Sequence, residues 1–230
     1  MVISEIKQVK KIFTVLFLIT ALAVNGQAFR RYEVKSGKIV YQVIRFVLHS
    51  EIHTDSNGKL IAKSEQVPYV AEIRDYYWDD YGNISRDVIY KVSDMGGKPL
   101  PQKKKVIERL WLAGRMYYLK NGKVSFDSYH LREECMNNAP LFQKVGWFKV
   151  LHPGAKIIGK EKVAGKRGTR YYVDEFSEYV LWKGLVLRDI SYFTNSKEQR
   201  KGMENKKTAV KIQIPFKTPE GFYHPKWLQQ

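Results

Sequence analysis

The residues suited to chemistry are few and scattered. The stretch "DYYWDDYGNISRD" holds Asp75, Asp79, Asp80 and Asp87. Adjacent carboxylates can bind a hard cation or divide acid and base roles. On a strand, residues 79 and 80 would point to opposite faces; on a turn both are solvated. No EF-hand spacing surrounds them, so the segment reads as an aspartate-rich turn. His49 and His53 lie where strand or turn is favoured, share a face there, and stand too far apart to hold one metal. Cys135 with His130 or His152 could form a thiolate pair. A single cysteine on a helix is ordinarily a small buried hydrophobe. Glycine-rich phosphate loops, G-x-S-x-G elbows and H-E-x-x-H are absent. The residues therefore point to no enzyme, metal or cofactor.

The elements that would position any site are strands separated by glycine turns. Turn candidates are Ser36-Gly37, Asn57-Gly58, Tyr81-Gly82-Asn83, Ala113-Gly114, Asn121-Gly122, Ala164-Gly165 and Lys183-Gly184. "YLKNGKVSF" is the clearest hairpin, because Asn and Gly both tolerate positive φ. Val124 and Phe126 alternate with Ser125 and Asp127, the period of a sheet with one buried face. In "TAVKIQIPFK", Val210, Ile212, Ile214 and Phe216 alternate with polar residues, and Pro215 should end that strand. "EYVLWKGLVLRDISYF" reads as two strands reversed at Lys183-Gly184.

Between His130 and Val150 the period changes. Leu131 and Cys135, then Leu141, Val145 and Phe148, recur at helical spacing, and Pro140 suits a first helical turn. Two short helices are predicted there. Two polar, charged stretches, 93–105 and 195–207, read as mobile loops. The predicted architecture is mainly β: a curved antiparallel half-barrel closed by short α-helices.

Composition bounds the setting. The chain has 230 residues. Lys7, Lys10 and Lys11 precede an apolar run from Ile12 to Val24, and Gly26-Gln27-Ala28 supplies small residues for cleavage. That run is short of the roughly 20 residues needed to span a bilayer. Residues 1–28 are therefore predicted to be a cleavable signal peptide and 29–230 a single half-barrel domain. One cysteine excludes an intramolecular disulfide. Export without disulfides suits a bacterial periplasm. The net charge is +17, which favours anionic partners such as a membrane surface. Export argues against nucleic acid as the partner.

Aromatic residues form 13% of the chain, enough for some to line a cavity between sheet and helices rather than only a core. The candidate lining residues are Trp111, Phe126, Leu141, Val145, Trp147, Phe148, Trp182, Val210, Ile212 and Ile214.

A resemblance rests on particular residues. Gly159, Val163, Ala164, Gly165, Tyr171, Trp182, Gly184, Leu185, Leu187 and Arg188 resemble a late segment of Lol-type periplasmic lipoprotein carriers and related exported proteins. Phe216, Pro219, Gly221 and Phe222 are similar to the ending of that family. The resemblance implies an incomplete barrel whose apolar interior binds acyl chains. The charged stretch Asn195–Lys207 departs from the family. The function expected is a non-catalytic periplasmic binding protein for a lipid or acylated protein. The alternative is a structural or interaction protein with a packed core and a basic docking surface.

Overall fold

A computed structural model of the chain describes residues 30–112, 115–127, 146–194 and 200–229. The candidates Leu141 and Val145, with His130 and Cys135, fall outside these residues. Among the described residues, eleven strands form one open antiparallel sheet, ordered β6-β5-β4-β3-β2-β1-β11-β10-β9-β8-β7. The strands are β1 (Gly37–Thr54), β2 (Leu60–Asp79), β3 (Ile84–Ser93), β4 (Pro99–Leu112), β5 (Arg115–Lys120), β6 (Lys123–Asp127), β7 (Lys156–Val163), β8 (Lys166–Asp174), β9 (Ser177–Trp182), β10 (Leu185–Thr194) and β11 (Arg200–Gln213). A short helix, α1, occupies residues 146–151.

The sheet is mainly β and antiparallel, as predicted, and it is curved. β7 and β11 stand four strand steps apart, about 19 Å in a flat sheet. They approach within 8 Å between Cα atoms, so this end of the sheet rolls up. Among the described residues it does not close, and β6 and β7 are its two edges. Closure by several helices is not seen in the described residues, where α1 is the single α-helical stretch.

Turn chemistry fixes the strand register. At Asn121-Gly122, Ala164-Gly165 and Lys183-Gly184, both central residues have positive φ. That is the mirror-image turn whose twist matches the flanking strands. The β1–β2 and β3–β4 connections share another device. Asp55 accepts from the backbone N–H groups of Asn57 and Lys59. Asp94 does the same with Gly96 and Lys98. The sequences "DSNGK" and "DMGGK" thus make equivalent five-residue turns. This corrects the long loop expected at 93–105: the turn ends at Lys98 and β4 begins at Pro99. The second expected loop, 195–207, is likewise strand from Arg200 onward. Lysine-rich composition conceals both strands, because a solvated ribbon need bury nothing on either side.

The core cluster includes Tyr32, Ile39, Tyr41, Trp78, Leu187 and Ala209. Trp78 and Ile39 are 0% exposed. The Trp78 indole donates to the Val34 carbonyl at 3.0 Å. It lies so close to Gly37 that a Cβ there would sit 2.2 Å from the ring. Val210 does not share the inward face expected of it. A bulge pairs Val40 with Lys211 and Tyr41 with Ala209, so Val210 is the extra residue, 47% exposed, while Ala209 turns inward. β11 ends at Gln213, two residues before Pro215.

The Lys183-Gly184 turn is a clasp. The Lys183 carbonyl accepts from the Glu33 N–H at 3.1 Å. The Gly184 carbonyl accepts from the Trp147 indole of α1 at 2.8 Å. A Cβ on Gly184 would meet the Arg31 carbonyl oxygen at 2.7 Å, with φ at +79°. Gly184→Ala is therefore expected to cost more than the roughly 1–2 kcal/mol of a left-handed backbone alone. Gly122→Ala, with φ at +75° and nothing within 4 Å, should cost only the backbone term. Denaturant unfolding of the two variants checks the difference, and equal losses would remove the clasp from the account of stability.

Candidate functional site

The period of two on β1 to β5 sorts side chains onto two faces. Ladder partners place Tyr41 beside Arg74, Tyr76 beside Asp87, Trp78 beside Ser85, and Asp87 beside Arg109. Trp111 pairs with Ser85 and Met116 with Trp111. This face carries a cleft of about 210 Å³. It is lined by Asp87 with Tyr41, Tyr76, Ser85 and Trp111, and also by Arg31, Tyr32, Arg74, Arg109, Met116, Trp147, Leu185, Val186 and Lys207.

Four cations, Arg31, Arg74, Arg109 and Lys207, share the lining with one carboxylate, Asp87. Arg74 binds Glu72 at 2.8 Å and Lys207 binds Asp189 at 3.0 Å. The Arg31 guanidinium lies 4.9 Å from the Trp147 ring. Arg109 and Asp87 approach only to 3.8 Å, too far for a hydrogen bond. Asp87 Oδ1 and Arg109 Nε are buried and have no hydrogen-bond partner. An acceptor and a donor are thus left open side by side. Leaving such groups unmade costs about 1–3 kcal/mol each, more when charged. A group that donates to Asp87 and accepts from Arg109 would satisfy both. The aromatic hydroxyls nearby are already engaged: Tyr32 and Tyr76 share a 2.6 Å hydrogen bond, and Tyr41 donates to the Val186 carbonyl at 2.7 Å.

The opposite face treats charge differently. Glu108, 1% exposed, accepts from Arg86 Nε at 2.9 Å, Lys105 at 3.0 Å and the Trp227 indole at 2.8 Å. Arg86 also donates to the Phe222 carbonyl at 2.6 Å. The C-terminal segment is pinned over β2 to β4 by these bonds and by Tyr77 against Phe216 and Phe222, with ring centroids at 5.5 and 4.7 Å.

The eight of the ten sequence candidates that fall within the described residues are dispersed. Trp111 and Trp147 line the cleft. Phe148, beside Trp147 on α1, packs instead on Tyr171 and Tyr179, 4.9 and 5.3 Å away. Trp182, Ile212 and Ile214 pack against the core cluster. Phe126 lies on the edge strand β6, 69% exposed, and Val210 is the bulge residue. Neither joins the cleft. Among the aspartates, Asp79 and Asp80 do lie at a tight turn, where Asp79 accepts from the Asp80 N–H at 2.7 Å. Asp75 and Asp87 are on strands, Asp75 paired with Lys38 at 3.2 Å. The charged lining is not apparent from the sequence because the segment with Asp87 reads as an aspartate-rich turn, whereas Asp87 lies on β3 and lines the cleft. The signal was present in "DVIYKV" and "IERLWL", where Asp87 and Arg109 occupy the alternation positions of the inward Ile89 and Trp111. Among the described residues no cluster of His, Cys, Asp and Glu could hold a metal.

No protein-family model matches the chain, and no curated protein matches it. Solved structures similar in part include the crystal structure of MucB, 12% identical over 81% of this chain and 55% of that one, with a TM-score of 0.40. The Pseudomonas aeruginosa MucA/MucB complex is 14% identical over 82% and 54%, with a TM-score of 0.42. The chain spans about half the length of these structures.

Asp87 and Glu108, on opposite faces of the sheet, titrate in opposite directions. Burial pushes Asp87 up, outweighing the pull of Arg74, Arg109 and Lys207. Burial also pushes Glu108 up, but the hydrogen bonds of Trp227 and Lys105 and the Arg86 charge together overcome it and hold the carboxyl below 4.5. Glu108 therefore contributes stability above pH 4.5 that is lost as the pH falls through its lowered native value. Asp87 acts in reverse: the fold gains stability as the pH falls through its raised native value toward 3.8. Urea unfolding should show the stability gap between wild type and Glu108→Gln shrinking below pH 4.5. At pH 7, Asp87→Asn should equal or exceed wild type; a clear loss would mean that the cations outweigh burial.

Proposed function

We propose that this chain is a non-catalytic binding protein of the bacterial envelope, exported with cleavage after Ala28, whose cleft holds the polar end of a lipid or acylated protein. The observation that carries the reading is the pair of open atoms in the cleft lining, Asp87 Oδ1 and Arg109 Nε, on residues that face each other across the β3–β4 ladder. Buried donors and acceptors ordinarily find partners, and a bound headgroup would supply them. The Arg109 guanidinium suits an anionic group, and Met116 and Leu185 offer apolar surface to the start of a chain. The half-polar lining favours a headgroup over an acyl chain as what the described cleft itself takes. A second reading, an interaction protein with a packed core, draws support from the β1–β2 hairpin, where Ile52 and Leu60 are exposed.

Native mass spectrometry of envelope-purified protein should find a co-purifying amphiphile and a chain beginning at Phe29. Arg109→Lys keeps a charge beside Asp87 but loses the Nε donor. It should weaken binding of an anionic amphiphile probe about tenfold or more, the worth of one charge-assisted hydrogen bond, while the unbound protein stays at least as stable because an unmade buried donor is removed. No saturable binding by the unmodified protein would sink the lipid reading and leave the interaction protein ahead.

A further inference from the structure

The two edges of the sheet are built differently. β7 carries a bulge, since Ile157 pairs with Tyr171 and Gly159 with Arg170. It also carries Lys156, Lys160 and Lys162. Bulges and lysines are the devices that keep an edge from pairing. β6, "KVSFD", has no bulge and no proline. Residues 123–126 are all exposed, with Phe126 at 69% and Val124 at 45%. Among the described residues nothing covers this unblunted edge, and a large aromatic exposed on such an edge calls for a partner.

The ladder shows which backbone groups face outward. The two-residue turn Asn121-Gly122 makes Lys120 and Lys123 a hydrogen-bonded pair. Alternation then makes Tyr118 and Ser125 another, and Leu119 with Val124 and Tyr117 with Phe126 the pairs between. The N–H and C=O groups of Val124 and Phe126 therefore point away from β5. They are the groups an added strand would use.

We propose that β6 pairs antiparallel with β6 of a second copy of this chain, joining two sheets about a two-fold axis at Ser125. In that register Val124 faces Phe126 of the second copy, and these are the two residues with outward hydrogen-bonding groups. Lys123 falls opposite Asp127 of the second copy, and the reverse, so both end positions join opposite charges. Ser125 meets Ser125 at the centre, where small side chains allow the close approach of a non-hydrogen-bonded pair. Val124 and Phe126 lie on the face of Leu119 and Tyr117, so the junction continues an apolar strip. A shift by one residue would put outward groups opposite inward ones, and a shift by two would separate the charge pairs. The strand is thus self-complementary in hydrogen bonding, charge and apolar contact at one register, as an isologous interface requires.

Sedimentation of the whole mature chain over a concentration series tests this. The unmodified protein should show a monomer–dimer equilibrium. Lys123→Asp and Asp127→Lys each set like charges opposite one another twice, and each should weaken the dimer by about threefold or more. The double exchange Lys123→Asp with Asp127→Lys restores both pairs and should restore the dimer. Val124→Pro removes an outward N–H that β5 does not use and should abolish it, with near-ultraviolet circular dichroism confirming the fold. A monomer at every soluble concentration overturns the proposal, and so does a dimer that neither single charge change weakens or that the double exchange fails to recover.

Discussion

Glu108 and Arg109 are neighbours on β4 and point to opposite faces of the sheet. Each meets a charge on β3, and the two encounters end differently. Glu108 is given Arg86, Lys105 and the Trp227 indole, and its carboxylate is satisfied although almost no water reaches it. Arg109 is given Asp87 at a distance that makes no hydrogen bond. Buried charge must be compensated. On the outer face the compensation is complete and fastens the C-terminal segment. On the inner face it is left incomplete, and the cleft lies there. Sequence alternation on one strand thus separates a structural lock from a candidate binding site by a single residue.

The inner face is divided along its length. At one end Trp78, Ile39 and Leu187 fill it with apolar side chains packed against each other. At the other, cations, tyrosines and one acid keep it polar. The Lys183-Gly184 turn spans the division. It accepts from Glu33 and from Trp147, and so holds the segment before β1 and helix α1 against the same hairpin. Arg31 and Tyr32, just before Glu33, and Trp147, through its indole, are thereby held at the cleft that all three line.

Much of the fold was legible in the sequence. Lys183-Gly184, Asn121-Gly122 and Ala164-Gly165 are turns because their residues accept positive φ, a local property. Strand identity was hidden where composition and structure disagree. "PQKKK" and "ENKK" look like loops, but strand pairing is a backbone interaction and tolerates lysines on solvated faces. The bulge at Val210 was not legible, since one extra residue inverts the alternation and leaves no mark in residue type. The site was legible in part. Trp111 and Trp147 stand out as aromatic, whereas Arg74, Asp87 and Lys207 acquire meaning only when the register brings β2, β3 and β11 to one face.

The central claim is that Asp87 and Arg109 are held apart for a third group. A crystal structure of the mature protein, purified from its envelope without delipidation, addresses it most directly. The expected result is a bound molecule in the cleft that donates to Asp87 Oδ1 and accepts from Arg109 Nε. Asp87 and Arg109 closed into a two-bond pair, with Trp111 and Trp147 collapsed over them, would contradict it.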